Sequence, residues 1–210
     1  MLKKSICCFS VVMFLMLAGL AWALPTVHGA PDPTEQLKPF LKRVTDTLSD
    51  PGLKALPKKE QCQRIVTIAK ERFDFQEMSK RVLGQQWRKL DPNEQQNFER
   101  LFTQLLQYAY VGKIEEYAGQ KIEYVQQRIK EDRAEVQTLL VDKNKSIPIS
   151  YIMLLKDEGW MTYDVVVEGV SLVRNYMEQF KDILRNDGYS GLVKQVEEKI
   201  DLFEKEKKKS

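Results

Sequence analysis

Histidine is nearly absent from this chain, with His28 the single example in 210 residues. Ser-His-Asp, Cys-His and histidine-based metal chemistry are thereby excluded, because each needs an imidazole set inside a fold. Cysteine is almost as scarce. Cys7 and Cys8 sit at the extreme N-terminus, which leaves Cys62 alone in the remaining chain. A lone thiol makes neither an internal disulfide nor a zinc site. Ten glycines and eight prolines are too few for a collagen-like or disordered chain. A phosphate-cradling glycine loop and a dinucleotide fingerprint are both missing. An excess of one charge is missing too: 33 Lys+Arg stand against 30 Asp+Glu, and the net +3 falls to +1 without Lys3 and Lys4. So balanced a surface makes a poor binder of nucleic acid, which demands surplus cations on one face.

What is present begins with an export signal. Lys3 and Lys4 precede an apolar run from Ile6 to Leu20, then Ala21-Trp22-Ala23 and Leu24-Pro25. Basic, apolar and small-residue regions in that order predict a secretory signal over residues 1–23, cleaved after Ala23, with 24–210 as one domain. The alternative is an uncleaved anchor, since Ile6 to Leu24 just reaches bilayer-spanning length. With one cysteine left, the exported domain depends on an ordinary core, and Cys62 is expected to face it.

The pattern behind the signal is helical, then alternating, then helical. Leu37, Phe40, Leu41, Val44 and Leu48 predict a helix from Asp32 to Asp50. Pro57 opens a second, carrying Cys62, Ile65, Val66 and Ala69, and a short third follows Asp74 and ends at Gly84. Asp91-Pro92-Asn93-Glu94 has the form of a capping box and starts the longest helix, expected to run to about Tyr117. Alternation then predicts about four antiparallel strands: Ile122-Tyr124-Gln126, Ala134-Val136-Thr138-Leu140, Ile147 to Leu155 and Trp160 to Val167. Two helices close the chain, Leu172 to Asn186 and Tyr189 to about Phe203, separated at Gly188. The expected class is α+β, helices before and after one antiparallel sheet.

No catalytic constellation emerges. Gly169-Val170-Ser171-Leu172-Val173 resembles a nucleophile elbow except that Val173 replaces its second glycine, so Ser171 is expected to cap a helix. Asp164 with Glu168, and Asp132 with Glu135, are carboxylate pairs near strand ends. Such pairs run acid–base chemistry when their environments separate their pKa values, but structural caps and ion pairs give the same spacing. The sequence therefore reads as a protein that is not an enzyme, with an exported enzyme centred on Asp164 as the competing class. A structural adaptor without any cavity is a third.

One segment carries a resemblance. Trp160-x-x-Tyr163-Asp164-Val165-x-x-Glu168-Gly169-Val170-Ser171-Leu172-x-x-Asn175-Tyr176-x-x-Gln179-Phe180 resembles the MlaC family. Phe73-Asp74-Phe75-x-x-Met78, Leu83-Gly84-x-x-Trp87, the run Phe98 through Tyr110, Tyr117, and Gly188, Gly191 and Leu192 fit the same pattern, which extends over about residues 34–203. The chain departs from it at Met177, where the family pattern implies an Arg and any contact that Arg makes. The resemblance implies a monomeric periplasmic phospholipid carrier with an apolar pocket between sheet and helices and no cofactor besides its lipid cargo. Its implied partners are an inner-membrane ABC lipid transporter complex and an outer-membrane lipoprotein complex. A related branch implies another lipid, such as a hopanoid.

Elementary energetics agree with a carrier. Exposing roughly 30 methylenes of two acyl chains to water costs about 24 kcal/mol at ~0.8 kcal/mol each. That exceeds the practical ceiling on binding free energies, about 18–21 kcal/mol, so unassisted crossing of an aqueous gap is negligible. Strand alternation and the long helix's apolar stripe nominate the lining. Val136, Tyr151, Met153, Tyr163, Val165 and Val167 are expected from the sheet, and Leu105, Leu106, Ala109, Tyr110, Ile114 and Tyr117 from the helix. The alternative is that these residues form a closed core. On the pocket reading, Val165→Glu or Met153→Glu should lower copurifying lipid at near-normal expression.

Overall fold

A computed structural model describes residues 31–115, 119–142, 145–157 and 159–207, with 58, 111–115, 206 and 207 described by backbone alone. The expected signal, its cleavage site and His28 lie outside the described residues. Helices α1 (Pro33–Ser49), α2 (Pro51–Lys54), α3 (Lys58–Ala69) and α4 (Phe75–Leu83) come first, then a 3-10 turn, Gly84–Lys89, and the long α5 (Pro92–Glu115). Strands β1 (Lys121–Lys130), β2 (Arg133–Val141), β3 (Ser146–Lys156), β4 (Gly159–Val167) and β5 (Val170–Ser171) follow, and α6 (Leu172–Lys207) ends the chain. The strands form one antiparallel meander in sequence order. The α+β class is as expected; β5 is a two-residue addition to the four strands.

Helix starts follow the chemistry of their first residues. Asp32 Oδ1 accepts from the Glu35 amide at 2.9 Å, and Asp74 Oδ1 from the Glu77 amide at 2.9 Å. At α5 the capping box is complete: Asp91 Oδ1 accepts from the Glu94 amide at 2.9 Å, and Glu94 Oε2 from the Asp91 amide at 3.0 Å. Each pairing satisfies an amide that helix geometry leaves free. The two expected C-terminal helices are continuous except at Gly188, whose φ of 70° and ψ of −171° are accessible in practice only to glycine.

Packing divides the molecule at the sheet. On one face lie α4, α5 and α6, with Phe98, Phe102, Tyr176 and Phe180 in edge-on and tilted ring contacts at the centre of that cluster. The other face carries α1, whose Leu37, Phe40 and Leu41 meet Ala134, Val136, Tyr151, Met153 and Trp160. A satellite cluster under α1 and α3 encloses Cys62, fully buried as expected. The start of α1 is tied to both sides of the sheet. Gln127 of β1 accepts from Thr34 and donates to Asp32 at 2.7 Å, while Gln36 Oε1 accepts from the Trp160 amide of β4 at 2.8 Å.

Simple alternation fails at two places. A bulge between Tyr124 and Gln126 inserts Val125 into β1, so Gln126 leaves the face shared by Ile122 and Tyr124. A second bulge, opposite Ile152 and Met153, inserts Tyr163 into β4. Both correct the expected alternation, and the second matters for the site.

Candidate lipid-binding site

The face under α1 is a nearly continuous apolar floor. Val136 pairs with Tyr151 and Tyr151 with Val165, while Ala134 pairs with Met153, which places all five on one face. Ile122 and Tyr124 of β1 extend it past Leu140 and Thr138, their cross-strand partners. Two of the floor's hydroxyls are linked: Tyr151 shares a hydrogen bond with Thr138, whose Oγ1 donates to the Ile149 carbonyl at 3.2 Å. Burial pushes the Tyr151 phenol far up, so it stays neutral and the floor carries no charge there.

Along the β1 side, α1 and the floor do not close. A cleft of about 380 Å³ opens there, lined by Lys38, Pro39, Lys42 and Thr45 of α1 and by Gln120, Ile122 and Tyr124 at the start of β1. Its size falls in the lower part of the range of ligand pockets, about 300–1,000 Å³. Pro39 gives α1 an unusual wall, because a proline inside a helix has no amide to bond the preceding turn. Tyr124 is half-buried, its phenol pushed up by burial, and the Lys38 ammonium lies 5.5 Å from its ring centroid.

The expected lining residues are not brought together. Val136, Tyr151 and Met153 are buried under α1, and Val165 packs against the same cluster. Leu105 and Leu106 instead belong to the helical cluster on the opposite face, with Tyr110 packed against it and Ala109 half-buried. The bulge turns Tyr163 to that face as well, where the Arg81 guanidinium stacks 3.8 Å from its ring centroid. Val167 is 38% exposed at the strand end. Ile114 lies in α5, known by its backbone alone, and Tyr117 lies outside the described residues. Lys38, Pro39, Lys42, Thr45 and Gln120 were not anticipated. Lys38 and Lys42 carry the signal, four residues apart on one helix face, but that spacing also describes any solvated helix surface.

The carboxylate candidates have structural duties. Asp164 Oδ2 accepts from Ser171 Oγ at 2.5 Å and Oδ1 from the Val173 amide at 3.0 Å, while Ser171 Oγ accepts from the Arg174 amide at 3.0 Å. Ser171 thus caps α6, as expected. Glu135 accepts from Gln137 at 2.7 Å, and Asp132 is an exposed partner of Arg133. Among the described residues no group of His, Cys, Asp and Glu is placed to hold a metal ion, and no helix is long and apolar enough to cross a membrane.

The fold is an apolar sheet face roofed by one helix, with a cleft along its β1 edge. The family model for the MlaC protein matches residues 39–198, most of the chain. The chain belongs to the MlaC family. Among solved structures it is similar to a phospholipid-binding protein from Ralstonia solanacearum determined in complex with a phospholipid. The TM-score is 0.74 at 23% identity, over 82% of this chain and 99% of the other. At that identity the likeness establishes a shared fold.

Proposed function

We propose that this MlaC-family protein is a periplasmic carrier of phospholipid, with the acyl chains held between α1 and the sheet face of Val136, Tyr151 and Val165. The observation that supports this most directly is the cleft beside α1, whose lining residues Ile122 and Tyr124 pack against the cluster of that apolar face. The Ralstonia relative's phospholipid points the same way. Displacing α1 would enlarge the space without breaking the sheet, since the helix meets the floor through side chains and through the polar ties at its N-terminal end.

The signal-like residues 1–23 support export, and the aqueous gap between two membranes supplies the physical need for a carrier. Cargo would pass between an outer-membrane lipoprotein complex and an inner-membrane ABC lipid transporter. A soluble shuttle needs no catalytic group, and Asp164, the strongest acid–base candidate, is occupied in capping α6.

Native mass spectrometry of the purified protein, followed by solvent extraction and lipid analysis, tests the reading. Near one-to-one phospholipid is expected, and Ile122→Glu should reduce it several-fold while the circular dichroism spectrum stays unchanged. A bare mass that persists after incubation with phospholipid vesicles would overturn the carrier.

A further inference from the structure

β1 is an outer strand of the sheet, and among the described residues no strand pairs with its far side. Long outer strands are open to pairing with other chains unless something blocks them. Two large apolar side chains stand on this one, Val125 at 56% and Ile129 at 52% exposure. The Arg128 guanidinium has no ion pair among the described residues, and Glu123 has only the exposed Lys121. The bulge at Val125 decides what can pair here. Ile122 and Tyr124 lie on the α1 face before it, and Gln127 and Ile129 lie on that face after it, with two residues intervening instead of one. A regular strand alternates without interruption, so it matches β1 on one side of the bulge and is reversed on the other. A second copy of β1 carries the same interruption.

We infer that β1 pairs antiparallel with β1 of a second copy of this chain, about a two-fold axis between Val125 and Gln126. In that register Tyr124 meets the partner's Gln127, Ile122 the partner's Ile129, and Glu123 the partner's Arg128. Each of these pairs lies on a common face, on both sides of the bulge. Residues that share a face along β1 also turn their N–H and C=O groups to the same side, so backbone donors meet acceptors in the same register. Symmetry makes every contact twice. Apolar pairs and opposite charges set directly across two strands are the favourable combinations. Only Lys121 and Lys130, at the two ends, oppose like charges, and Lys121 is held by Glu123 at 2.7 Å. The pairing also sets the partner's Ile129 beside Ile122 of the cleft lining, so the second copy extends the apolar floor at the rim of the cleft. It departs from the monomer that the family resemblance implies, and it does not depend on the carrier reading.

Light scattering coupled to size-exclusion chromatography of the full mature chain tests this. An interface of two strands belongs to the small, transient class, so dimer is expected at about 100 µM protein and monomer at about 1 µM. Glu123→Arg sets Arg against Arg across the axis, and Arg128→Glu sets Glu against Glu. Each variant alone should associate at least about tenfold more weakly than the wild type. Mixed in equal amounts, the two should form a heterodimer, because both cross-axis pairs are then of opposite charge. Circular dichroism checks that both variants are folded. A wild type that stays monomeric at about 100 µM would overturn the inference. A dimer that either folded variant leaves intact would place the contact elsewhere on the molecule and overturn it too, as would a mixture that fails to associate.

Discussion

Asp164 and Ser171 are bonded across the β4–β5 turn, hydroxyl to carboxylate at 2.5 Å, and together they cap the first turn of α6. The pair places the long C-terminal helix on the sheet face opposite α1. Asp164→Ala leaves the Val173 amide and the Ser171 hydroxyl to find other partners, a loss of about 1–2 kcal/mol. Chemical denaturation should show that decrease while copurifying lipid stays at the wild-type level. Lost lipid with undiminished stability would instead assign Asp164 to the site.

Gly159 and Gln36 illustrate a close approach that forbids a side chain. Gly159 has φ +117°, and a Cβ there would stand 2.6 Å from Gln36 Nε2. Gln36 cannot simply swing away without releasing the Trp160 amide from its 2.8 Å bond. Gly159→Ala should therefore destabilise by about 1–3 kcal/mol. Gln36→Ala alone removes the clash partner but also the bond, so the double variant should be less than additive. Strict additivity in denaturation experiments would disprove the coupling.

Much of this fold was legible in the sequence because it is written locally. Asp32, Asp74, Asp91 with Glu94, and Ser171 cap the helices their positions foretold, and Gly188 breaks the last one. The strict alternation of Ala134, Val136, Thr138 and Leu140 survives because β2 is bulge-free against β3. Tyr163 was misplaced because one inserted residue reverses every later assignment on a strand, and no local signal marks it. The helical half of the expected lining lies on the other face of the sheet from Val136 and Tyr151 for a different reason. An apolar stripe such as Leu105, Leu106 and Tyr110 shows that a face is buried, not which layer buries it.

Met153 has the same lesson in energetic form. Strand alternation makes it a candidate pocket wall, and Met153→Glu a probe for lost lipid. In the structure the side chain is fully buried between Ala134, Thr162 and the α1 layer, with no exposed surface. A carboxylate there has neither solvent nor a partner, which costs several kcal/mol. Met153→Glu should accordingly fail to accumulate as folded protein, whereas Met153→Ala should fold with a loss of about 2–5 kcal/mol. Recovery of well-folded, lipid-free Met153→Glu would show that this position opens to the cavity.

Alkaline stability should report on the docking of α6 against α5. Tyr108 of α5 donates to Glu204 Oε1 of α6 at 2.6 Å. Burial first, then the bond to that carboxylate and its charge, push the phenol up to about 12. In the unfolded chain the same group titrates near 10. Folding therefore favours the protonated phenol: the stabilisation is complete below about pH 10 and disappears as pH rises through about 12. Tyr108→Phe removes this linkage and with it the bond to Glu204. The melting temperatures of the wild type and the variant should accordingly differ at neutral pH and converge between about pH 10 and 12. A gap that stays constant through that window would mean the Tyr108–Glu204 bond does not hold the two helices together in solution.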